Sequence, residues 1–486
     1  MASDEFDVIV VGAGMVGLST ALILADAGRR VAVLTGEPIG GGSTGRSAGV
    51  VSQLHGTAYR RMRGETAGKN AAAYRAANAD GFTWIERRLE QRAVPHERRD
   101  AMLVALQPDG ARRIDDEHLA ALRAGLPVQK LRRPDLPFPT HGALRLADQI
   151  LLDPKVLLSA LAIAAREAGV VLHEGERVLD IDLPPRGQAR VLTRSGEWAA
   201  PRVVLATGTP LLERGLYLLK TQPYRIMAVS GSGVAAGLPL LTAIGPTGST
   251  TMATSADGRA TVLGGAHPVG VGGPESRYAA TVERFATEHL PGFRREAVWS
   301  GQDYRPFNPI AFVGALPRSG GRVLFASGFD GWGLTHGAAA GIRIAAELLG
   351  APRTAWAATI GRRITRAPSM GIGLTADAQA AARRSRAVPR LTEPDLRLLP
   401  DGQGIVRRTE RGIVATSRVD GVVTSVSGRC TRLGGVLVWN DVELSWDCPV
   451  CGSRFAPDGA VLEGGARVPL ETVADLGAVD GASYGD

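Results

Sequence analysis

The chain opens on an apolar run. Residues 6–11, Phe-Asp-Val-Ile-Val-Val, predict a short strand buried on both faces. Gly12-Ala13-Gly14-Met15-Val16-Gly17 comes next, and residues 18–27 read as a helix closed by Gly28. Residues 31–34, Val-Ala-Val-Leu, predict a second strand, completing a β-α-β unit of about thirty residues. Residues 80–91 and 115–124 carry helical periodicity, and 134–139 read as a Pro-broken loop. Residues 153–169 predict a strong helix, with Pro154 at the first helical position and Gly169 at the end. Residues 203–206 predict a strand running into Thr207-Gly208. Residues 224–266 predict several short strands with Gly-rich turns, 323–327 a strand, and 337–349 a helix. Residues 353–392 are Ala/Arg-rich and weakly patterned, suiting a linker or a strapping helix. From residue 391 short Val/Thr/Ile runs alternate with Gly and Asp, predicting an all-β module.

A length of 486 residues suits about three domain-sized units, or one interleaved body plus an appendage. With 44% hydrophobic and 21% charged residues the chain can bury a large core, which excludes disorder. No window offers about 18 apolar residues, so no membrane-spanning helix is expected. The opening lacks a basic n-region, so no signal peptide is expected. Three cysteines argue against a disulfide framework and for a reducing, cytoplasmic setting. The net charge of +8 is uneven: residues 1–352 carry +6, 353–390 carry +7 and 391–486 carry −5. Only four basic residues are lysine, which reads as codon bias. A short basic segment without interleaved aromatics predicts internal docking rather than nucleic-acid binding.

Gly12-x-Gly14-x-x-Gly17 between a strand and a helix is a dinucleotide fingerprint. Gly12 permits the tight turn, Gly14 lets a pyrophosphate approach, and Gly17 lets helix and strand pack closely. Ala13 and Met15 belong to the same loop. A ribose-binding acid is expected about 20 residues on. Thr35 occupies that slot, and Glu37 lies two residues later, so either can serve.

Further segments resemble the D-amino-acid oxidase and glycine oxidase superfamily. Gly42-Ser43-Thr44-Gly45-Arg46-Ser47-Ala48-Gly49-Val50 resembles its second flavin segment, and Val204-Leu-Ala-Thr207-Gly208 its returning strand. Residues 299–306, Trp-Ser-Gly-Gln-Asp-Tyr-Arg-Pro, and Gly328-Phe-Asp-Gly-Trp332-Gly333 resemble its late flavin-ring segments, which Leu334 and Thr335 extend. The resemblance spans residues 6 to about 350. It implies FAD and an α/β fold in which a Rossmann-type FAD-binding domain interleaves with a mixed α+β substrate domain. The FAD-binding domain is expected at 1–80, 150–222 and 300–352. The substrate domain is expected at 81–149 and 223–299, with a basic linker at 353–390. Relatives with a terminal iron–sulfur module usually carry Lys where this chain has Gly331. His55 is the nearest candidate for a covalent flavin link.

The chemistry the resemblance implies is oxidation of a C–H bond next to nitrogen. A hydride passes to the flavin and the imine hydrolyses. Candidate catalytic or substrate-facing residues are Tyr224, Arg225, His267 and Arg305, with Tyr304 and His336 beside them. Arg225 or Arg305 can clamp a substrate carboxylate or form a structural ion pair. His267 reads as either a polar strand-end residue or a base.

Residues 391–486 resemble a Rieske iron–sulfur domain, most specifically in Trp439-Asn440, Trp446-Asp447 and Gly452-Ser-Arg-Phe455. A working Rieske centre needs Cys-x-His and Cys-x-x-His. Here Cys430 is followed by Arg432 at the first histidine position, and Cys448 by Cys451 at the second. The two cysteines that pair as a disulfide in that family fall at Gly435 and Val450. No histidine lies in the last 150 residues. Cys430, Cys448 and Cys451 leave four alternatives: a retired cluster domain, a zinc site, an atypical [2Fe-2S] cluster, or a redox dithiol at Cys448-x-x-Cys451.

The expected function is therefore a FAD-dependent amine or amino-acid oxidase or dehydrogenase. Its partners are a small amine or amino-acid-like substrate and O2. A second reading is a flavin/iron–sulfur dehydrogenase serving an electron carrier through an altered three-Cys cluster. A third is a flavoprotein with a scaffolding role.

Overall fold

The structure is a computed structural model that describes residues 6–62, 67–245, 248–307, 310–361, 388, 396, 398–410 and 412–473. The chain divides into two compact units, Met1–Pro268 with Ser276–Leu374, and Val269–Glu275 with Thr375–Asp486.

The first unit is built on two large sheets and a smaller three-stranded one. One has six strands in the order Phe312–Ala315, Val323–Ser327, Arg202–Leu205, Val8–Val11, Val31–Thr35, Val171–Glu174. All neighbours are parallel except the first pair. Val8 pairs with Val31 on one side and Arg202 on the other, so the ends of these three strands are level. The four central residues of the first strand are all buried, as an apolar run covered on both faces must be. One face is packed by the helices Met15–Asp26, Pro154–Glu167 and Gly333–Leu348, through Leu18, Leu22, Leu157, Leu161 and Ile344. A three-stranded antiparallel layer, Val178–Asp182, Ala189–Thr193 and Glu197–Ala200, covers residues of the other face through Ile181 and Val191.

The second sheet is mixed. Its path runs Arg294–Pro306, Thr221–Ser232, Arg259–Pro268, Ser249–Thr254, Leu240–Ile244, His96–Ala105, Ala143–Leu152, Val50–Val51. The expectation of short strands over 224–266 is corrected here. Thr221–Ser232 has 12 residues and pairs along its length with Arg294–Pro306, a strand of 13. The helix expected at 80–91 runs from Ala67 to Gln91, crossing the position where the flavin and substrate segments were divided. Of the segment expected as a linker, Ala355–Gly361 is a helix with Trp356, Ala357 and Ile360 buried in a second core, which also holds Leu103, Leu144 and Ile244 of this sheet. Residues 362–387 and 389–395 lie outside the described residues.

The second unit is all-β, as expected. Gly404–Thr409, Gly412–Val419 and Val422–Ser427 form one antiparallel sheet. Val438–Asn440, Ser445–Asp447, Arg454–Phe455 and Val461–Glu463 form another. Trp439 and Trp446 meet edge to face across it, with centroids 4.7 Å apart. Arg454 is buried among Asp447, Glu443 and Glu463, whose charges hold its guanidinium protonated.

Candidate functional site

The Gly-rich turn leaves the first strand at Gly12, whose φ of 103° is left-handed. A Cβ there would lie 2.5 Å from the Ala206 carbonyl oxygen, so the turn needs glycine. A Cβ on Gly17 would overlap the Gly12 carbonyl oxygen, which sets how closely helix and turn approach. Gly14 caps the helix Met15–Asp26 with no side-chain hydrogen bond and no acid in the first turn. Its dipole and N–H groups therefore suit an anion. Met15 N donates to Thr44 Oγ1 at 3.3 Å, tying the turn to the second segment. Ala13 is buried beside it. Thr35 ends the second strand and donates its hydroxyl to the Glu37 carbonyl at 3.1 Å. The Glu37 carboxylate lies against Gly41 in the same turn.

The second segment is stitched to the strand Arg294–Pro306. Ser43 Oγ donates to the Gln302 carbonyl at 2.6 Å, and Arg46 Nη1 to the Ser300 carbonyl at 3.0 Å. Arg46 Nε donates to the Gly41 carbonyl at 3.0 Å, and Trp299 Nε1 to the Arg46 carbonyl at 2.9 Å. Ser47 Oγ accepts from Gly49 N at 3.4 Å. A Cβ on Gly49 would overlap the Leu152 carbonyl oxygen, while Ala48 and Val50 pack on the second core. After the returning strand, Thr207 donates to the Thr209 carbonyl at 2.6 Å, and Ser327 to the Gly208 carbonyl at 2.5 Å.

Gly328, with φ 85°, packs on Pro306, and Trp332 caps the helix Gly333–Leu348. Thr335 donates to the Ser52 carbonyl at 3.1 Å, and Leu334 is buried. His55 stacks on Trp332 with centroids 4.6 Å apart. Its Nε2 is 2.6 Å from the Ser52 carbonyl and its Nδ1 2.6 Å from the Tyr74 hydroxyl. The carbonyl fixes the tautomer: Nε2–H donates and Nδ1 accepts from Tyr74. With both ring nitrogens engaged, His55 has none left for a covalent flavin link. Burial, with His336 adding to it, drops its pKa to about 3.

Tyr224 is 2% exposed, and its hydroxyl has no hydrogen-bond partner among the described residues. Burial holds its pKa well above the ordinary tyrosine value. The Arg305 guanidinium sits over its ring at 4.5 Å, and Arg305 Nε donates to Asp330 Oδ1 at 2.8 Å. Arg61 Nη2 reaches Asp330 Oδ2 at 2.5 Å, so one carboxylate holds both arginines. Arg225 is wholly buried, with its Nη atoms donating to Ser300 Oγ and Gln302 Oε1, each at 3.1 Å. That places it as a strut between two strands. Gln302 Nε2 donates to the Tyr304 hydroxyl at 3.1 Å. His267 Nδ1 lies 2.7 Å from the Gly265 carbonyl, and its ring stacks on Tyr278 at 3.6 Å. His336 meets Tyr74 edge to face at 5.0 Å.

Three residues escaped the reading of the sequence. Asp303 accepts from Gly331 N at 2.6 Å and Tyr304 N at 2.7 Å, holding the turn before Trp332. Burial raises its pKa to about 6. Asp330 takes a left-handed φ of 52°, which aspartate tolerates better than most residues. Its position between Phe329 and Gly331 was the available signal. Glu117, fully buried, accepts from the backbone of Tyr59 and Arg60, and burial raises its pKa to about 7.

In the second unit Cys430, Cys448 and Cys451 converge, their sulfurs all within 4.8 Å of one another. Cys430 Sγ and Cys451 Sγ are 3.6 Å apart, and Ser453 Oγ is 3.1 Å from Cys451 Sγ. Hydrogen bonds from the two neighbouring thiols and Ser453 favour the thiolate at Cys451.

Residues 7–347 match the family described as FAD dependent oxidoreductase (DAO). YhfW of Bacillus subtilis (strain 168), named for a Rieske 2Fe-2S iron–sulfur protein, is 25% identical over 96% of this chain and 93% of its own. Cytochrome b6-f complex iron–sulfur subunit 3 of Nostoc sp. (strain PCC 7120) is 48% identical over 44 residues, 9% of this chain and 25% of that subunit. Among solved structures, glycine oxidase from Geobacillus kaustophilus superposes with TM-score 0.62 at 21% identity, covering 74% of this chain and all of the other. L-Proline dehydrogenase from P. horikoshii gives TM-score 0.61 at 18% identity over 72% of this chain and 95% of its own. The C-terminal module is Rieske-like. The glycine cradle, the uncapped helix and the bonded 42–50 segment fit FAD, and the chain belongs to the FAD dependent oxidoreductase family.

Proposed function

We propose that this chain oxidises the C–N bond of an amine or amino-acid-like small molecule, with dioxygen as electron acceptor. The observation that carries the reading is the buried, unpartnered Tyr224 hydroxyl beside the Arg305 guanidinium. An unpaired buried hydroxyl costs about 1–3 kcal/mol unless a ligand supplies its partner. A carboxylate supplies it, accepting from Tyr224 and pairing with Arg305, whose side chain is 44% exposed. The names of the structural neighbours, glycine oxidase and L-proline dehydrogenase, agree with a substrate of this class.

In this reading the pyrophosphate of FAD rests on Gly12, Gly14 and the N–H groups of the helix Met15–Asp26. The Thr35 hydroxyl donates to the Glu37 carbonyl, which leaves its oxygen lone pairs and the Glu37 carboxylate as the two acceptors for a ribose hydroxyl. FAD, when bound, takes up the hydride from the carbon next to nitrogen. Arg305 and Tyr224 bind and orient the substrate, Asp330 holds Arg305, and Asp303 holds the Gly331-Trp332 turn. Orientation supplies most of the rate. Arg225 braces two strands through Ser300 and Gln302, and His267 is held by the Gly265 carbonyl and the Tyr278 ring. The substrate imine takes up water to give a carbonyl compound and an amine, and O2 is reduced to peroxide.

The test is turnover in air with amino acids, N-alkyl glycines and simple amines, reading peroxide and carbonyl product in equal amounts. Peroxide with an amino-acid-like substrate supports the reading. Reduction of an artificial acceptor without peroxide overturns the dioxygen assignment. Turnover confined to alcohols overturns the C–N assignment.

A further inference from the structure

We propose that Cys430, Cys448 and Cys451 hold a single zinc ion, in the place where a Rieske domain holds two irons.

The register of the two loops is secure. The two positions that correspond to the paired Rieske cysteines, Gly435 and Val450, face each other: a Cβ on Gly435 would lie 2.8 Å from Val450 Cγ2. The loops therefore stand where cluster loops stand. Their ligands do not fit the cluster. Two histidines on one iron define the Rieske centre, and no histidine occurs beyond His336.

Distance decides what the remaining thiols can hold. A tetrahedral ion with metal–sulfur bonds of about 2.3 Å spaces its thiolates about 3.8 Å apart. Thiolates on opposite irons of a two-iron cluster stand farther apart, because the second iron and its bridging sulfides lie between them. Cys430 and Cys451 would sit on opposite irons, yet their sulfurs are 3.6 Å apart and all three lie within 4.8 Å. All three vertices thus surround one centre. The loops are shaped alike around it: Gly434 N donates to the Cys430 carbonyl at 2.8 Å and Gly452 N to the Cys448 carbonyl at 2.9 Å. Gly435 lets the first loop approach, since a Cβ there would meet Cys448 Sγ at 3.1 Å.

Zinc suits three thiolates with a fourth ligand completing the tetrahedron, and among the described residues no other His, Cys, Asp or Glu joins the group. Ser453 Oγ, 3.1 Å from Cys451 Sγ, serves as a hydrogen-bond partner of that sulfur and accepts from Ala466 N at 3.0 Å. Zinc has no redox step, so the unit does not relay electrons.

The experiment is metal and acid-labile sulfide analysis of the full-length flavoprotein purified without oxygen, together with cobalt exchange. One zinc per chain, no sulfide, and tetrahedral cobalt bands beyond the flavin absorption are expected. Cys448→Ser and Cys451→Ser are expected to lose the zinc while keeping FAD. If they fail to fold, cobalt exchange of the unaltered protein still decides. Iron in any stoichiometry overturns the proposal, as does a metal-free protein whose three thiols titrate freely in the folded state. Neither result bears on amine oxidation by the first unit.

Discussion

His55 lies flat against Trp332, the two ring planes within 19° of each other, while Ser52 and Tyr74 hold its nitrogens. The stack fixes the residue that caps the helix Gly333–Leu348. It also stores a pH dependence. His55 titrates near 3 in the folded chain and near 6.5 unfolded. Between those values the unfolded chain binds the proton and the folded chain does not. The stability His55 contributes is complete above pH 6.5 and is lost as pH falls toward 3. The loss is on the order of 5 kcal/mol. His55→Gln is expected to flatten the acid limb of Tm measured from pH 4 to 8.

Gly17 tests the cofactor cradle. A Cβ at this position overlaps the Gly12 carbonyl oxygen and pushes the turn away from the helix. Overpacking of this kind costs about 1–3 kcal/mol, and the shift that relieves it falls on the surface that takes the pyrophosphate. Gly17→Ala is expected to retain FAD at least about tenfold more weakly, read as flavin per chain after gel filtration.

Tyr224→Phe removes a hydroxyl that has no partner among the described residues. Folding stability is therefore expected to hold or rise, by up to about 1 kcal/mol. If the hydroxyl binds a substrate carboxylate, KM rises about tenfold or more. Unchanged KM with unchanged Tm would remove Tyr224 from the substrate site.

The Rieske-like register predicts a disulfide that this chain lacks. A Cβ on Gly435 would lie 3.3 Å from the Val450 Cβ, close to disulfide geometry. Gly435→Cys combined with Val450→Cys is expected to form the bond on oxidation. A closed loop of about 15 residues is worth about 3 kcal/mol. Mass spectrometry and Tm with and without reductant check it.

Much of this was legible. The strand Val323–Ser327 has the limits that its apolar run suggested, and the Gly12–Gly17 turn stands where its spacing put it. The helix Gly333–Leu348 was expected at 337–349, short at its start because residues 328–333 read as a flavin-ring segment, while Gly337 and Gly341 were placed inside it. Those two glycines are contact points: a Cβ on Gly341 would overlap Ser19 Oγ, and Gly337 faces Met15. Pairs such as Asp303 with Gly331, or Arg61 and Arg305 on Asp330, depend on tertiary folding that no local pattern encodes. The three cysteines showed the altered ligand set, but only their distances separate one ion from two.

The most direct test is the half-reaction without oxygen: the flavoprotein mixed with candidate amino-acid-like amines while flavin absorbance is followed. The account predicts bleaching of the flavin, slowed when the C–H bond next to nitrogen carries deuterium, with one carbonyl product per flavin. A flavin that stays oxidised with every amine, yet bleaches with an alcohol, would contradict it.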